Sequence, residues 1–183
     1  MRTRAARAAD AAVLGHLMVD SWLAAHRGQM PDAAWQKRAA EWTPDVSARG
    51  WSRVLAAQAT TPARDDVLLV AEDDRDAIIG LVYGVVADDV PGGTTGEVAA
   101  LYVAPDRQRE GVGASLLRAV AGELGDLGVV TLRLSVLTAN LPARSFYESM
   151  GGLEVGHGTT DEEGHLLPTT AYEWADVSVL RAT

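Results

Sequence analysis

The sequence predicts one α/β domain over residues 1–183, built on a mixed sheet, and three observations carry that expectation. Two uninterrupted apolar runs, Val67-Leu68-Leu69-Val70-Ala71 and Ile78-Ile79-Gly80-Leu81-Val82-Tyr83-Gly84-Val85-Val86, flank a polar turn at 72–76 and read as a β-hairpin. A strand, a loop, a helix and a second strand follow one another between 97 and 137, the pattern of a parallel βαβ unit with a right-handed crossover. The chain has 183 residues and is 48% hydrophobic, enough for one full core and too little for two comfortable ones.

The elements follow in order. Residues 2–7 form a candidate edge strand. Asp10 is a plausible N-cap, and Val13, Leu14, Leu17, Met18, Ser21, Trp22 and Ala25 recur at helical spacing, so residues 10–26 read as an amphipathic helix. From Pro31 to Gln58 the chain is rich in Ala and Trp, with Pro44 and Gly50 as breakers, which suggests two further short helices. After the hairpin, a loop through Pro91-Gly92-Gly93 leads to an apolar strand at 97–103 that Pro105 stops. Leu116, Leu117, Val120, Leu124 and Leu127 lie on one helical face ending at Gly128, and the strand 129–137 comes next. A short helix over 140–150 carries Pro142 in its first turn. Strands near 153–158 and 166–175 finish the domain.

Composition narrows the chemistry. The absence of cysteine excludes disulfides, thiolate metal sites and a cysteine nucleophile. His16, His26, His157 and His165 are scattered without ligand spacing, so no metal is expected. No apolar stretch approaches the roughly 20 residues that span a bilayer, which makes a cytoplasmic protein without a membrane partner the expectation. A formal net charge of -9 leans away from nucleic acid, whose phosphates need clustered Lys and Arg, and towards a cationic partner.

The segment Gln108-Arg109-Glu110-Gly111-Val112-Gly113 joins a strand to a helix. Closely spaced glycines there let successive N–H groups converge on phosphate, and the helix N-terminus adds positive dipole. A Walker loop would end in Gly-Lys-Ser/Thr, whereas Gly113 is followed by Ala114 and Ser115. A dinucleotide fingerprint would place a third glycine where Leu116 stands. Taken alone, the six residues fit a plain glycine-rich turn equally well.

The surroundings add to this. Gln-x-x-Gly-x-Gly after a strand ending Leu101-Tyr102-Val103-Ala104-Pro105, followed by Asn140, Ala143, Phe146-Tyr147-Glu148 and Gly151, resembles the GNAT superfamily of acetyl-CoA-dependent N-acetyltransferases. The resemblance runs from about Asp65 to Trp174. Asp10 and the Ser21-Trp22 helix followed by Arg27-Gly28 and Pro31-Asp32 also look like the start of many bacterial members. It implies a mostly antiparallel mixed sheet of six to seven strands with a central splayed parallel pair, flanked by about four to five helices. One departure is Gly152, where the family usually carries Phe or another large residue.

Acetyl transfer needs a neutral amine, yet an alkyl ammonium has a pKa of about 10.4 in water. Glu97 is the candidate base, acting directly or through water, because it opens an otherwise apolar strand where an unpaired carboxylate would be costly. The alternative is a solvated residue at the strand's start. The resemblance assigns Tyr147 as general acid towards the leaving thiolate, the alternative being a core tyrosine. It also implies cofactor contacts at Leu101, Tyr102 and Val103, at Gln108, Arg109, Glu110, Gly111, Val112, Gly113 and Ala114, and at Asn140, Ala143 and Tyr147. Main-chain groups at Leu101 and Val103 would hold the pantetheine arm, and one N–H would polarise the acetyl carbonyl. Arg107 and Arg109 are candidate phosphate partners, and Asn140 can equally serve as a helix N-cap. Trp22, Tyr83, Glu97 and Trp174 are expected around the acceptor, aromatic walls being suited to a flat or cationic amine, with core or interface packing the alternative for each aromatic.

The leading expectation is an enzyme that acetylates a primary amine of a small molecule. A protein lysine or N-terminal acetyltransferase is the second. A non-catalytic acyl-CoA-binding module is the third, disfavoured because binding alone requires neither Glu97 nor Tyr147. The resemblance also raises a homodimer through the C-terminal strands.

Overall fold

The two apolar hairpin runs are buried on both faces, which explains their lack of polar alternation. In the computed structural model, which describes residues 1–60, 65–87 and 94–181, they form β2 (Asp66–Glu72) and β3 (Ile78–Ala87). Val67, Leu69 and Ala71 point to one helix layer, and Leu68 and Val70 to the other. β1 (Arg2–Ala5) pairs antiparallel with β2 and forms one sheet edge, as expected. The expected loop through Pro91-Gly92-Gly93 lies outside the described residues.

One layer is α1 (Ala11–His26), α2 (Asp32–Glu41) and α3 (Pro44–Thr60). Leu14, Leu17, Trp51 and Leu55 pack on Leu68, Val70, Leu81 and Ala100 of the sheet. The other layer is α4 (Val112–Asp126), whose Leu116, Leu117, Val120 and Leu124 are fully buried, and α5 (Leu141–Ser149). β4 (Thr95–Val103), β5 (Thr131–Leu137), β6 (Leu153–Glu162) and β7 (His165–Trp174) complete a seven-stranded sheet in the order β1-β2-β3-β4-β5-β7-β6.

Two local expectations are corrected. Asp10 does not cap α1 through its side chain: its carboxylate accepts from the Arg7 N–H at 2.7 Å and pairs with Arg4 at 2.7 Å, closing the short 3-10 turn before the helix. Gly50 does not break the chain. It lies inside the 17-residue α3, where Trp51 and Leu55 are buried and outweigh a propensity cost of about 1 kcal/mol.

The feature that shapes a site is the only parallel pair among the described strands. β4 and β5 are in register only from Thr95↔Thr131 to Glu97↔Arg133. Beyond that point β5 stays paired with β7 as far as Leu137↔Thr169, and β4 stays paired with β3 as far as Val103↔Gly80. The β3–β4 register slips between Tyr83↔Ala100 and Gly84↔Val98, leaving Ala99 as a bulge where the separation begins. A bulge bends its strand. The facing backbone edges of 98–103 and 134–137 therefore lack strand partners, and the sheet opens as a V.

Candidate active site at the splayed strands

The glycine loop stands at the mouth of the V. After the 3-10 turn Pro105–Arg107, Gln108 is extended, Arg109 has φ 65° and Gly111 has φ 84°. Left-handed residues alternating with ordinary ones build an anion-binding concavity. Gly111 precedes α4 with no side-chain cap, so the first-turn N–H groups of a 15-residue helix carry their dipole unshielded. A Cβ on Gly113 would face Phe146 of α5 at 3.5 Å and Val103 of β4 at 3.8 Å, so this glycine bridges the top of the opening. Glu110, unwelcome beside phosphate, is drawn away by Arg107 at 3.1 Å. Arg107 also pairs with Asp73 at 3.3 Å, so it is already engaged, whereas Arg109 is exposed.

One face of the V belongs to α5. Asn140 accepts from the Ala143 N–H at 3.2 Å, acting as the N-cap that its alternative role required. Tyr147 is 9% exposed, and its phenol has no hydrogen-bond partner among the described residues. Burial pushes the phenol up to about 12, so it is protonated throughout the neutral range.

The other face is an aromatic chamber. Trp22, Met30, Ala34, Leu137 and Leu167 cluster with Trp42 and Tyr102, joining α1 and α2 to the ends of β4, β5 and β7. Ser21 donates to the Val103 carbonyl at 3.2 Å and ties α1 to the β4 tip. His26 stacks on Trp22 at 4.4 Å, and its Nδ1 donates to the Trp22 carbonyl at 2.8 Å. Burial keeps His26 below its usual range and hence neutral. The carbonyl bond opposes the shift and Arg38 reinforces it. Tyr102 reaches across β4 from this side. Its phenol is raised first by burial and then by Tyr147 and Glu162, with Arg38 acting in the opposite direction. Tyr102 and Tyr147 therefore belong to clusters on opposite faces of the sheet, Tyr102 packing with Trp22 and Trp42 and Tyr147 with the α4 layer.

Two expected acceptor residues lie elsewhere. Tyr83 packs edge to face on Trp51 and donates to Asp66 at 2.9 Å, on the α3 side and away from the V. Trp174 is 2% exposed, donates to the Met150 carbonyl at 2.9 Å and is part of the core behind Tyr147. Trp22 is in the chamber. Glu97 lies on the last residue pair before the strands part, and its side chain is exposed, not sunk in an apolar strand. The desolvation cost expected of it is absent, because β4 begins at Thr95 and Glu97 takes an outward position. No partner engages its carboxylate among the described residues. Arg38, Trp42, Glu162 and Glu163 were not expected here. They come from α2, its C-terminal flank and the β6–β7 turn, elements whose proximity no local pattern reveals. No group of three metal-ligating side chains occurs among the described residues, and no described helix is long and apolar enough to cross a membrane.

Similar proteins share this frame. A mycothiol acetyltransferase of Propionibacterium freudenreichii is 39% identical over 84 residues, which are 46% of this chain and 27% of the relative. A ribosomal protein bS18-alanine N-acetyltransferase of Salmonella typhimurium is 40% identical over 84 residues, 46% of this chain and 52% of that protein. The matched segments thus span from about a quarter to about half the length of these two relatives. Among solved structures, the PaiA N-acetyltransferase of Thermoplasma acidophilum in complex with coenzyme A superposes with a TM-score of 0.67 at 18% identity, covering 94% of this chain and 98% of that one. At that identity the likeness shows the fold. Residues 32–152, most of the chain and the whole span from α2 to Gly152, match the acetyltransferase (GNAT) family, and the chain belongs to that family.

Proposed function

We propose that the chain, as one N-acetyltransferase domain, transfers acetyl from acetyl-CoA to a primary amine of a small molecule. The observation that carries this reading is the V itself: two strand edges unpaired among the described strands, a left-handed loop ahead of an uncapped helix, and, flanking the opening, the phenols of Tyr102 and Tyr147, which have no hydrogen-bond partner among the described residues.

These residues fit acetyl-CoA. Main-chain groups of Leu101, Tyr102 and Val103 offer the strand edge that an amide-bearing arm can extend, as an added strand would. The N–H groups of 109–114 suit the pyrophosphate, with Gln108 and Arg109 beside them and Ala143 flanking Asn140 at the α5 end. Bound there, acetyl-CoA supplies a thioester already activated for acyl transfer.

The chain's own residues do the rest. Glu97 takes the ammonium proton, through ordered water given its exposed position, and its unpartnered carboxylate supports that role. Tyr147 gives a proton towards the departing sulfur. An N–H of the β4 edge polarises the acetyl oxygen. The aromatic chamber excludes water from the amine. The bond formed is C–N and the bond broken is C–S: the ammonium loses one proton to Glu97 before attack, the nitrogen loses a second after attack that restores the one Tyr147 gives the sulfur, and Glu97 passes its proton to solvent, so one proton is released for each acetyl transferred.

A protein N-terminal amine is the second reading, favoured by the likeness to the bS18-alanine acetyltransferase. The ion pairs Arg38–Glu162 and Lys37–Glu163 bind the β6–β7 turn to α2 beside the aromatic cluster, and a flank tied down in this way supports the small acceptor. The test is thiol release from acetyl-CoA against small amines and peptides in parallel. Turnover of peptides alone would transfer the proposal to the second reading.

A further inference from the structure

Arg38 sits in a cage. Its guanidinium carbon is 5.2 Å from the ring centroid of Trp22 and 5.3 Å from that of Trp42, two indoles packed edge to face. Its Nη2 donates to Glu162 at 2.9 Å, and its Nη1 reaches Glu163 at 3.5 Å. The carboxylate side chains are 17% and 13% exposed, against 32% for Arg38. Lys37, at 55% exposure, holds Glu163 at 2.9 Å. Glu163 adopts φ 55°, uncommon for a residue with a side chain, and Gly164 follows at 81°, the two-residue turn that fixes the hairpin tip against α2. Arg38 fills the cage imperfectly, since its Nε is buried without a partner.

The cage adjoins the reaction site. Trp22 and Trp42 share a cluster with Tyr102, whose phenol lies within the electrostatic reach of Glu162, Arg38 and Tyr147. Tyr147 is more than nine-tenths buried, and its phenol has no hydrogen-bond partner among the described residues.

Two indole faces and two partly buried carboxylates are chemistry that holds a cation. An entering cation exchanges with Arg38 or the exposed Lys37, like for like, and leaves the local charge unchanged. An entering anion has to expel carboxylates that are more buried than the arginine they hold. We propose that the cage is a subsite for a second positive group on the acceptor, so that the preferred acceptor is a diamine or a longer polycation. One amine lies at Tyr147, and the other takes the guanidinium's place against Glu162, Glu163 and the indoles. This rests on the amine-acetyltransferase reading above and names its substrate class.

The test is a titration of the full chain, without acyl donor, followed by tryptophan fluorescence and calorimetry. The probes are 1,4-diaminobutane, butylamine and 4-aminobutanoate. The diamine is expected to bind about tenfold more tightly than butylamine, the size of a desolvated cation–π and carboxylate contact. In Glu162→Gln/Glu163→Gln that ratio falls towards one. In Arg38→Gln, which removes the internal competitor, it rises. Circular dichroism confirms that each variant folds, and added salt erodes the ratio in the unaltered chain as an independent check. Tighter binding of 4-aminobutanoate than of the diamine, or a ratio that survives the double glutamine substitution, overturns the proposal. Diamine binding with no thiol release from acetyl-CoA leaves the subsite standing and defeats the acetyltransferase reading. Turnover of other amines without diamine preference does the reverse.

Discussion

Gly152 and Trp174 occupy one volume between them: a Cβ at 152 would lie 2.8 Å from Trp174 Cζ2 and 3.0 Å from the Tyr147 carbonyl oxygen. The indole cannot yield, being 2% exposed and held by its hydrogen bond to Met150. The missing large side chain after α5 is thus supplied from β7. Gly152→Ala is expected to destabilise by about 1–3 kcal/mol through overpacking, and Trp174→Ala by about 3–5 kcal/mol through the cavity it leaves. Gly152→Phe combined with Trp174→Ala should recover part of the second loss. A urea-unfolding double-mutant cycle checks this, and strict additivity would contradict the shared volume.

Gly113→Ala tests the cradle without disturbing the fold. Its Cβ meets Phe146 at 3.5 Å and Val103 at 3.8 Å, ordinary contact distances. Thermal stability should hold, while coenzyme A affinity falls about tenfold because the methyl occupies the approach to the loop. Calorimetric titration with coenzyme A reads both variants. Gly111→Ala differs: at φ 84° it should also lose about 1–2 kcal/mol of stability.

Glu97→Gln should lower kcat/KM about 10²- to 10⁴-fold near pH 7, the usual range for losing a general base. The gap should close towards about pH 10, where the amine deprotonates unaided. Coenzyme A affinity should not change. A pH-independent gap would place Glu97 in structure, not in proton transfer.

Acid stability should depend on the β1 junction. Arg2 and Arg4 hold Glu72 below the usual carboxylate range, the first at 2.5 Å. Asp10 is also depressed, because Arg4 and the Arg7 N–H outweigh the opposing effect of burial. Carboxylates depressed in the native state stabilise above their unfolded values of about 4, and that contribution is lost as pH falls through the native values. Between about pH 5 and pH 3 the melting temperature should therefore drop less in Glu72→Gln than in the unaltered chain, from a lower starting point.

Most of the frame was legible because it is written locally. The hairpin shows in two unbroken apolar runs, the parallel unit in a change of period after Pro105, and the loop in glycines whose positive φ at 111 no other residue adopts as readily. The V opening was inferred from resemblance alone, since the bulge at Ala99 leaves no compositional trace. Gly50 misled because its modest local cost is overridden by the packing of Trp51. Tyr83 and Trp174 were assigned to the acceptor by residue type, yet which wall an aromatic faces depends on register. The Arg38 cage was invisible because residues 22, 38, 42, 162 and 163 converge only once α1, α2 and the β6–β7 turn are folded together.

Amine-dependent thiol release from acetyl-CoA, compared between the unaltered chain and Tyr147→Phe across pH, tests the central claim most directly. The phenol is pushed up to about 12, so its donor form persists and the unaltered rate should climb with amine deprotonation without a fall due to Tyr147 below about pH 11. Tyr147→Phe should lose about 10²-fold in kcat with coenzyme A affinity retained. Tight coenzyme A binding with no amine-dependent release from any acceptor, or equal turnover by Tyr147→Phe, would contradict the account.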